Sequence, residues 1–254
     1  MTEKQAFYWV RVAIAPVRST YKDSAEMVTQ LLFGELVESI EGYNNWIKVK
    51  SLHDEYEGWI DMKQVIPISE ERKSKLLKNG YRQQFLLLQL NSPWGPMNTV
   101  KGSWLPLNET RFSINDKNFE LTNNSSVYNS KDISSIALEF LNAPYLWGGR
   151  TPFGIDCSGF TQAVFSFLGV QLLRDASQQV YQGKDISFDE LQDGDLAFFK
   201  SEKGKVTHVG IALGANKIIH ASGVVRIDKL KKEGIWNDEM NMLTHICHSF
   251  KRII

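Results

Sequence analysis

Residues 144–160 read PYLWGGRTPFGIDCSGF, and they constrain the fold more tightly than any other stretch. Pro144, Pro152, Gly148, Gly149 and Gly154 break any regular element before Asp156. Phe160, Val164, Phe167 and Leu168 then recur at helical spacing. Asp156 is a good N-cap, and Gly169 stands where a C-terminal glycine belongs. The stretch is a loop that delivers Cys157 to the first turn of a helix, where backbone N–H groups point outward. A helix N-terminus favours negative charge, and the thiolate is the nucleophilic form of cysteine, so Cys157 is expected to be reactive. The competing reading is a buried structural thiol, because free cysteine is among the most buried residue types.

Two later segments can supply a base. Residues 206–213, VTHVGIAL, and 217–222, KIIHAS, both read as strands with one histidine among apolar neighbours. A nucleophile needs a base within reach and a third group to orient that base, so Cys157, His208 and His220 form a candidate triad. The alternative for either histidine is a satisfied core position.

A length of 254 residues implies two or three units. The 29 basic and 29 acidic residues balance, which removes the simplest argument for nucleic acid or a membrane surface as partner. Two cysteines, Cys157 and Cys247, do not make a disulfide scaffold. The chain does not open with a basic start followed by an apolar segment, and no run approaches the roughly 18 apolar residues of a membrane span. These features predict a soluble cytoplasmic protein, or a periplasmic or secreted one if a signal peptide has been removed.

Residues 7–68 read as short strands between turns. The segment 35–50 alternates on both sides of Gly42-Tyr43-Asn44-Asn45 and predicts a hairpin, and Gly58 begins another strand. Together they suggest a small barrel. The charged run 70–75 reads as a solvated linker or short helix. Weak echoes of the first unit at 85–96 and 102–107 favour a second barrel. Asp132 then caps a helix with Ile133, Ile136, Ala137, Phe140 and Leu141 on one face, stopping before Pro144. Residues 243–250 alternate like the last strand of an antiparallel sheet. Helices grouped in one stretch and strands in another make the class α+β.

The motifs Y-x-W-G-G and D-C-S-G-F within 145–160, L-Q-D-G-D-L at 191–196 and H-V-G-I at 208–211 occur in order, and their arrangement resembles the NlpC-type cell-wall peptidases. The resemblance covers about the last half of the chain. It implies a papain-like cysteine peptidase domain acting on peptidoglycan peptides, preceded by SH3-like domains. The implied layout is two small SH3-like β-barrels at 1–68 and 69–128 and a catalytic domain at 129–254. It also implies that Tyr145 lies in the active site, where its hydroxyl and the Cys157 backbone N–H are candidate oxyanion donors. Asp156, Ser158 and Asp175 are implied to surround the substrate, although Asp156 reads equally well as the helix cap alone.

Two SH3-like domains before such a domain resemble the γ-D-glutamyl-L-diamino-acid endopeptidase subgroup. That likeness implies murein peptides with a free N-terminal L-alanine as substrate, in cell-wall peptide recycling, with Glu26 and Tyr56 receiving the ammonium. Asp23, Glu35 or Glu57 are alternatives to Glu26. Ala176 departs from the pattern, because a small hydroxyl residue is expected after Arg174-Asp175. No cofactor and no metal are implied, and a monomer is expected. The rival functions are a secreted peptidoglycan hydrolase whose SH3-like domains bind the wall and a non-enzymatic wall-binding adaptor.

Other candidates read as ordinary structure. His245 and Cys247 share a strand face that His248 does not, and no second ligand cluster accompanies them, so chance placement fits better than zinc. His53 reads as a solvent-facing loop residue. Most of the 7 tryptophans fall in strand patterns and read as barrel core rather than sugar-stacking platforms.

Overall fold

A computed structural model describes residues 6–107, 109–122, 132–214 and 216–254. The chain divides into two compact units, Met1–Tyr128 and Asn129–Ile254. The boundary expected at 128/129 lies outside the described residues.

In the first unit seven antiparallel strands form one sheet. They are β1 (Phe7–Val10), β2 (Ile14–Arg18), β3 (Met27–Leu32), β4 (Leu36–Tyr43), β5 (Trp46–Ser51), β6 (Glu57–Asp61) and β7 (Val65–Ile68), in the order β3-β2-β6-β5-β4-β1-β7. The β4–β5 hairpin turns at Asn44, whose φ of 51° is one that asparagine tolerates. Alternation along β5 buries Ile47 and Val49 beside Val10, Val17, Leu31, Val37 and Ile60.

Ser69 then caps α1 (Glu70–Lys78), accepting from the Arg72 N–H, and the helix buries Leu76. It is followed by β8 (Gly80–Arg82), β9 (Leu87–Ser92), β10 (Gly95–Val100), β11 (Trp104–Pro106), β12 (Arg111–Ile114) and β13 (Lys117–Leu121). These strands make a four-stranded sheet, β10-β9-β13-β12, and a pair, β11-β8. Leu88, Leu90, Leu105, Phe112 and Phe119 pack with Trp9, Phe33, Leu36 and Ile66, so the two halves of this unit share one core.

The second unit opens with α2 (Ile133–Leu138), capped by Asp132. Ile133, Ile136, Ala137 and Phe140 are buried as expected, but Leu141 is exposed. The helix ends at Leu138, and Asn142 takes a φ of 67°, which turns the chain away before the periodicity can place Leu141 inside. A short hairpin, β14 (Arg150–Thr151) with β15 (Gly154–Ile155), leads into α3 (Cys157–Ser166) and then α4 (Ala176–Gln179).

The remaining strands are β16 (Lys184–Ile186), β17 (Leu196–Lys200), β18 (Val206–Ala212), β19 (Lys217–Ser222), β20 (Val224–Lys231), β21 (Gly234–Asn237) and β22 (Met242–Arg252). Neighbours pair from β17 through β22, and β22 pairs with both β17 and β21, so six strands close on themselves with β16 added outside. Alternation sends Leu196, Phe198, Val209, Ile211 and Ile219 toward the helices. Ala197, Phe199, Ala212, Ile218, Leu230 and Ile235 form a second apolar cluster on the other face. His208 is two residues from Gly210, four from Ala212, and His220 two from Ile218, so both histidines belong to this second face.

Candidate active site

The cysteine loop is fixed by one carboxylate. Asp156 accepts from the Gly159 N–H at 2.7 Å as the N-cap of α3, and from the Gly148 N–H at 2.8 Å across the loop. Arg174 closes on it with Nη2 at 2.6 Å and Nη1 at 3.0 Å, and Nη1 also donates to Ser158 Oγ at 3.1 Å. A Cβ on Gly159 would lie 2.3 Å from the Gly149 carbonyl oxygen, so the loop crosses the first helical turn where only glycine fits. Asp156 and Ser158, implied as substrate contacts, are buried in this scaffold. Asp175 caps α4 in a capping box with Gln178. The hydroxyl of Thr161 donates to Gln179 Oε1 at 2.7 Å, and Gln179 Nε2 donates to the Ser158 carbonyl at 3.0 Å, which ties α4 to α3.

Cys157 emerges from this scaffold buried, and its sulphur faces the backbone N–H groups of Val209 and Ser158. Val209 follows His208, so α3 brings Cys157 against the strand that carries the first histidine. His208 Nε2 lies 2.9 Å from His220 Nδ1, so its Nδ1 is the ring nitrogen that this contact does not use. The β18–β19 register pairs Gly210 with His220, and a Cβ on Gly210 would meet the His220 Cβ at 2.8 Å. The absent side chain at 210 makes room for the second ring.

Three residues that the sequence did not place in the site complete the arrangement. Arg174 is the ion partner of Asp156. Asp228 on β20 places Oδ2 3.0 Å from His220 Nε2. His245, read from the sequence as chance placement, lays its ring on that of His208, with centroids 4.2 Å apart and planes 28° from parallel. The signal for Asp228 is its even spacing from Arg226 in an alternating strand, which many surface acids share. Register shifts between Phe198 and Phe199 and between Ile235 and Trp236 set how β22 meets its neighbours, and alternation alone does not foresee them. Among the described residues no group of three His, Cys, Asp or Glu side chains is placed to hold a metal ion.

Burial governs the charges here. It pushes the Cys157 thiol up to about 12, with the Asp156 charge adding to the effect and the Val209 and Ser158 N–H groups opposing it. Burial thus works against the negative charge that the helix N-terminus favours. Burial also drives His208 well below its ordinary value, helped by His220 and His245, so its imidazole is neutral. Tyr145 is pushed up to about 12 by burial and then by the nearby Cys157, so it stays a phenol able to donate a hydrogen bond near the sulphur.

Among the first unit's candidates, Glu26 is exposed and Tyr56 half-buried. Glu35 is buried, accepts from the Leu32 N–H at 2.9 Å and pairs with Arg82, which makes it a structural acid. Glu57 pairs with Lys48 at 3.1 Å.

A cysteine at a helix N-terminus and a histidine pair on a closed β-sheet are the elements of a papain-like cysteine peptidase domain. More narrowly, residues 142–244 match the NlpC/P60 family and residues 17–65 match the bacterial dipeptidyl-peptidase Sh3 domain, so the chain carries an NlpC/P60 peptidase domain behind an Sh3 domain. It is 43% identical over 94 residues to the γ-D-glutamyl-L-lysine dipeptidyl-peptidase of Bacillus subtilis, covering 36% of this chain and 32% of that protein. Identity to the Bacillus cereus protein of the same name is 25% over 248 residues, 84% of this chain and 72% of the relative. A crystal structure of an NlpC/P60 family protein from Bacillus cereus shares the fold with a TM-score of 0.78 at 21% identity, covering 97% of this chain and 99% of that one.

Proposed function

We propose that the protein hydrolyses the γ-D-glutamyl-L-diamino-acid bond of short murein peptides that begin with a free L-alanine, acting as a monomer in cytoplasmic peptide recycling. One observation carries this reading. The Sh3 and NlpC/P60 domains occur together in one chain, and relatives matched over 83% and 84% of it bear dipeptidyl-peptidase names. A dipeptidyl-peptidase removes two residues from an amino end, and in a murein peptide those are L-alanine and D-glutamate. In this reading Glu26 and Tyr56 receive the substrate's ammonium, and the described strands between residues 80 and 121 are a second, reduced SH3-like barrel that shares the core of the first.

The test is incubation with L-Ala-γ-D-Glu-L-Lys, with its diaminopimelate counterpart and with intact sacculi, followed by mass analysis. Release of L-Ala-D-Glu from a tripeptide but not from sacculi is expected. Cleavage of sacculi alone would replace this reading with that of a secreted wall hydrolase.

A further inference from the structure

We propose that Asp228 is a positioning residue: through His220 it fixes the His208 tautomer whose Nδ1 is free to take the Cys157 proton. The inference rests on the cysteine peptidase site and is independent of which peptide bond is cut. Asp228 is buried at the inner end of a chain of rings. Its Oδ2 meets His220 Nε2 at 3.0 Å, and its Oδ1 accepts from Arg226 Nη2 at 3.1 Å and from Asn237 Nδ2 at 3.4 Å. Arg226 Nε also ion-pairs with Oδ2 at 2.9 Å, without hydrogen-bond alignment. Arg226 is itself held by Glu239 at 3.1 Å. Burial opposes ionisation of Asp228, yet the hydrogen bonds from His220 and Arg226 outweigh it and hold the carboxyl below its ordinary range.

An ionised carboxylate can only accept. His220 must then carry its proton on Nε2 and present a lone pair at Nδ1, which lies 2.9 Å from His208 Nε2. That contact needs a donor, so His208 is protonated on Nε2 and its Nδ1 bears the lone pair. His245 contacts the rings of both histidines, while its own Nδ1 lies 2.9 Å from Thr244 Oγ1. When the sulphur attacks a carbonyl carbon, its proton passes to His208 Nδ1, and the same proton later goes to the leaving amine. His220 keeps its proton throughout, and Asp228 stays ionised, stabilising the imidazolium from two rings away.

The tautomer can be read in the wild-type chain by long-range 1H–15N NMR of the imidazoles. His220 protonated on Nε2 is expected, and protonation on Nδ1 would overturn the proposal whatever any variant does. The second measurement is carbamidomethylation of Cys157 by iodoacetamide at pH 7, followed by peptide mass mapping to separate it from Cys247. Because this reads the thiol directly, its result stands or falls apart from the substrate assignment. Asp228→Asn should slow the reaction about a hundredfold, since an amide can select the wrong tautomer. On a His220→Ala background the same change should add less than about threefold, because the residue acts only through that ring. A wild-type rate in Asp228→Asn, or losses that multiply in the double variant, would reduce Asp228 to a structural anchor.

Discussion

Arg174 closes on Asp156 at 2.6 Å beneath the first turn of α3, with 1% of the arginine exposed. Both charges are out of water, so the pair is worth little net but costly to break on one side. Arg174→Met should destabilise the catalytic unit by about 3–5 kcal/mol. The expected fall in Tm is about 10 °C or more, measured by calorimetry. A shift within ~3 °C would mean that Asp156 finds compensation in its N-cap and Gly148 bonds alone.

Cys157→Ala should lose activity to the uncatalysed background while keeping a cooperative melt, because no other group can form the thioester. Cys247→Ala should retain a rate close to wild type. His208→Ala should cost more than His220→Ala, since in the proposed mechanism His208 exchanges the proton and His220 orients it. Steady-state rates on the tripeptide decide all of these, and an active Cys157 variant with a dead Cys247 variant would reverse the assignment.

Acid should destabilise the protein through its histidines. His208 is depressed chiefly by burial, and His245 is lowered to about 4, again by burial first. Below pH 6.5 the unfolded chain takes up protons that the folded one refuses, so stability falls as pH drops. For His245 the loss runs from about pH 6.5 to about 4. Melts across that window should show a falling Tm, and His245→Phe should fall less steeply because the ring stays and the titrating group goes. An identical slope in the variant would count against this account.

What the sequence reveals of this site is what local chemistry determines. Asp156 followed by Cys157 and helical periodicity places a thiol at a helix start, and single histidines in apolar strands mark His208 and His220. Asp228 and His245 depend on register instead. Asp228 meets His220 only because β19 and β20 pair His220 with Arg226, two positions away. His245 reaches His208 only because β22 closes the sheet by pairing on both edges. Leu141 shows the converse, since its helical spacing was legible but the turn at Asn142 was not. Cys157 shows it for electrostatics: the N-terminus was visible in the sequence, while the burial that opposes it comes from packing.

The proposed ammonium site makes the last prediction. If Glu26 receives the substrate's free amine, N-acetylating the L-alanine removes the positive charge it would meet, and the acyl group adds bulk at the same position. The acetylated tripeptide should therefore be a very poor substrate. Glu26→Ala should raise KM for the free tripeptide more than it lowers kcat, because the contact is remote from the breaking bond and is kept in ground and transition states alike. The check is a steady-state comparison of free and acetylated tripeptide with wild type and the variant. Equal cleavage of both peptides by wild type would mean that the amine is not recognised, and would favour an enzyme that cuts within the intact polymer.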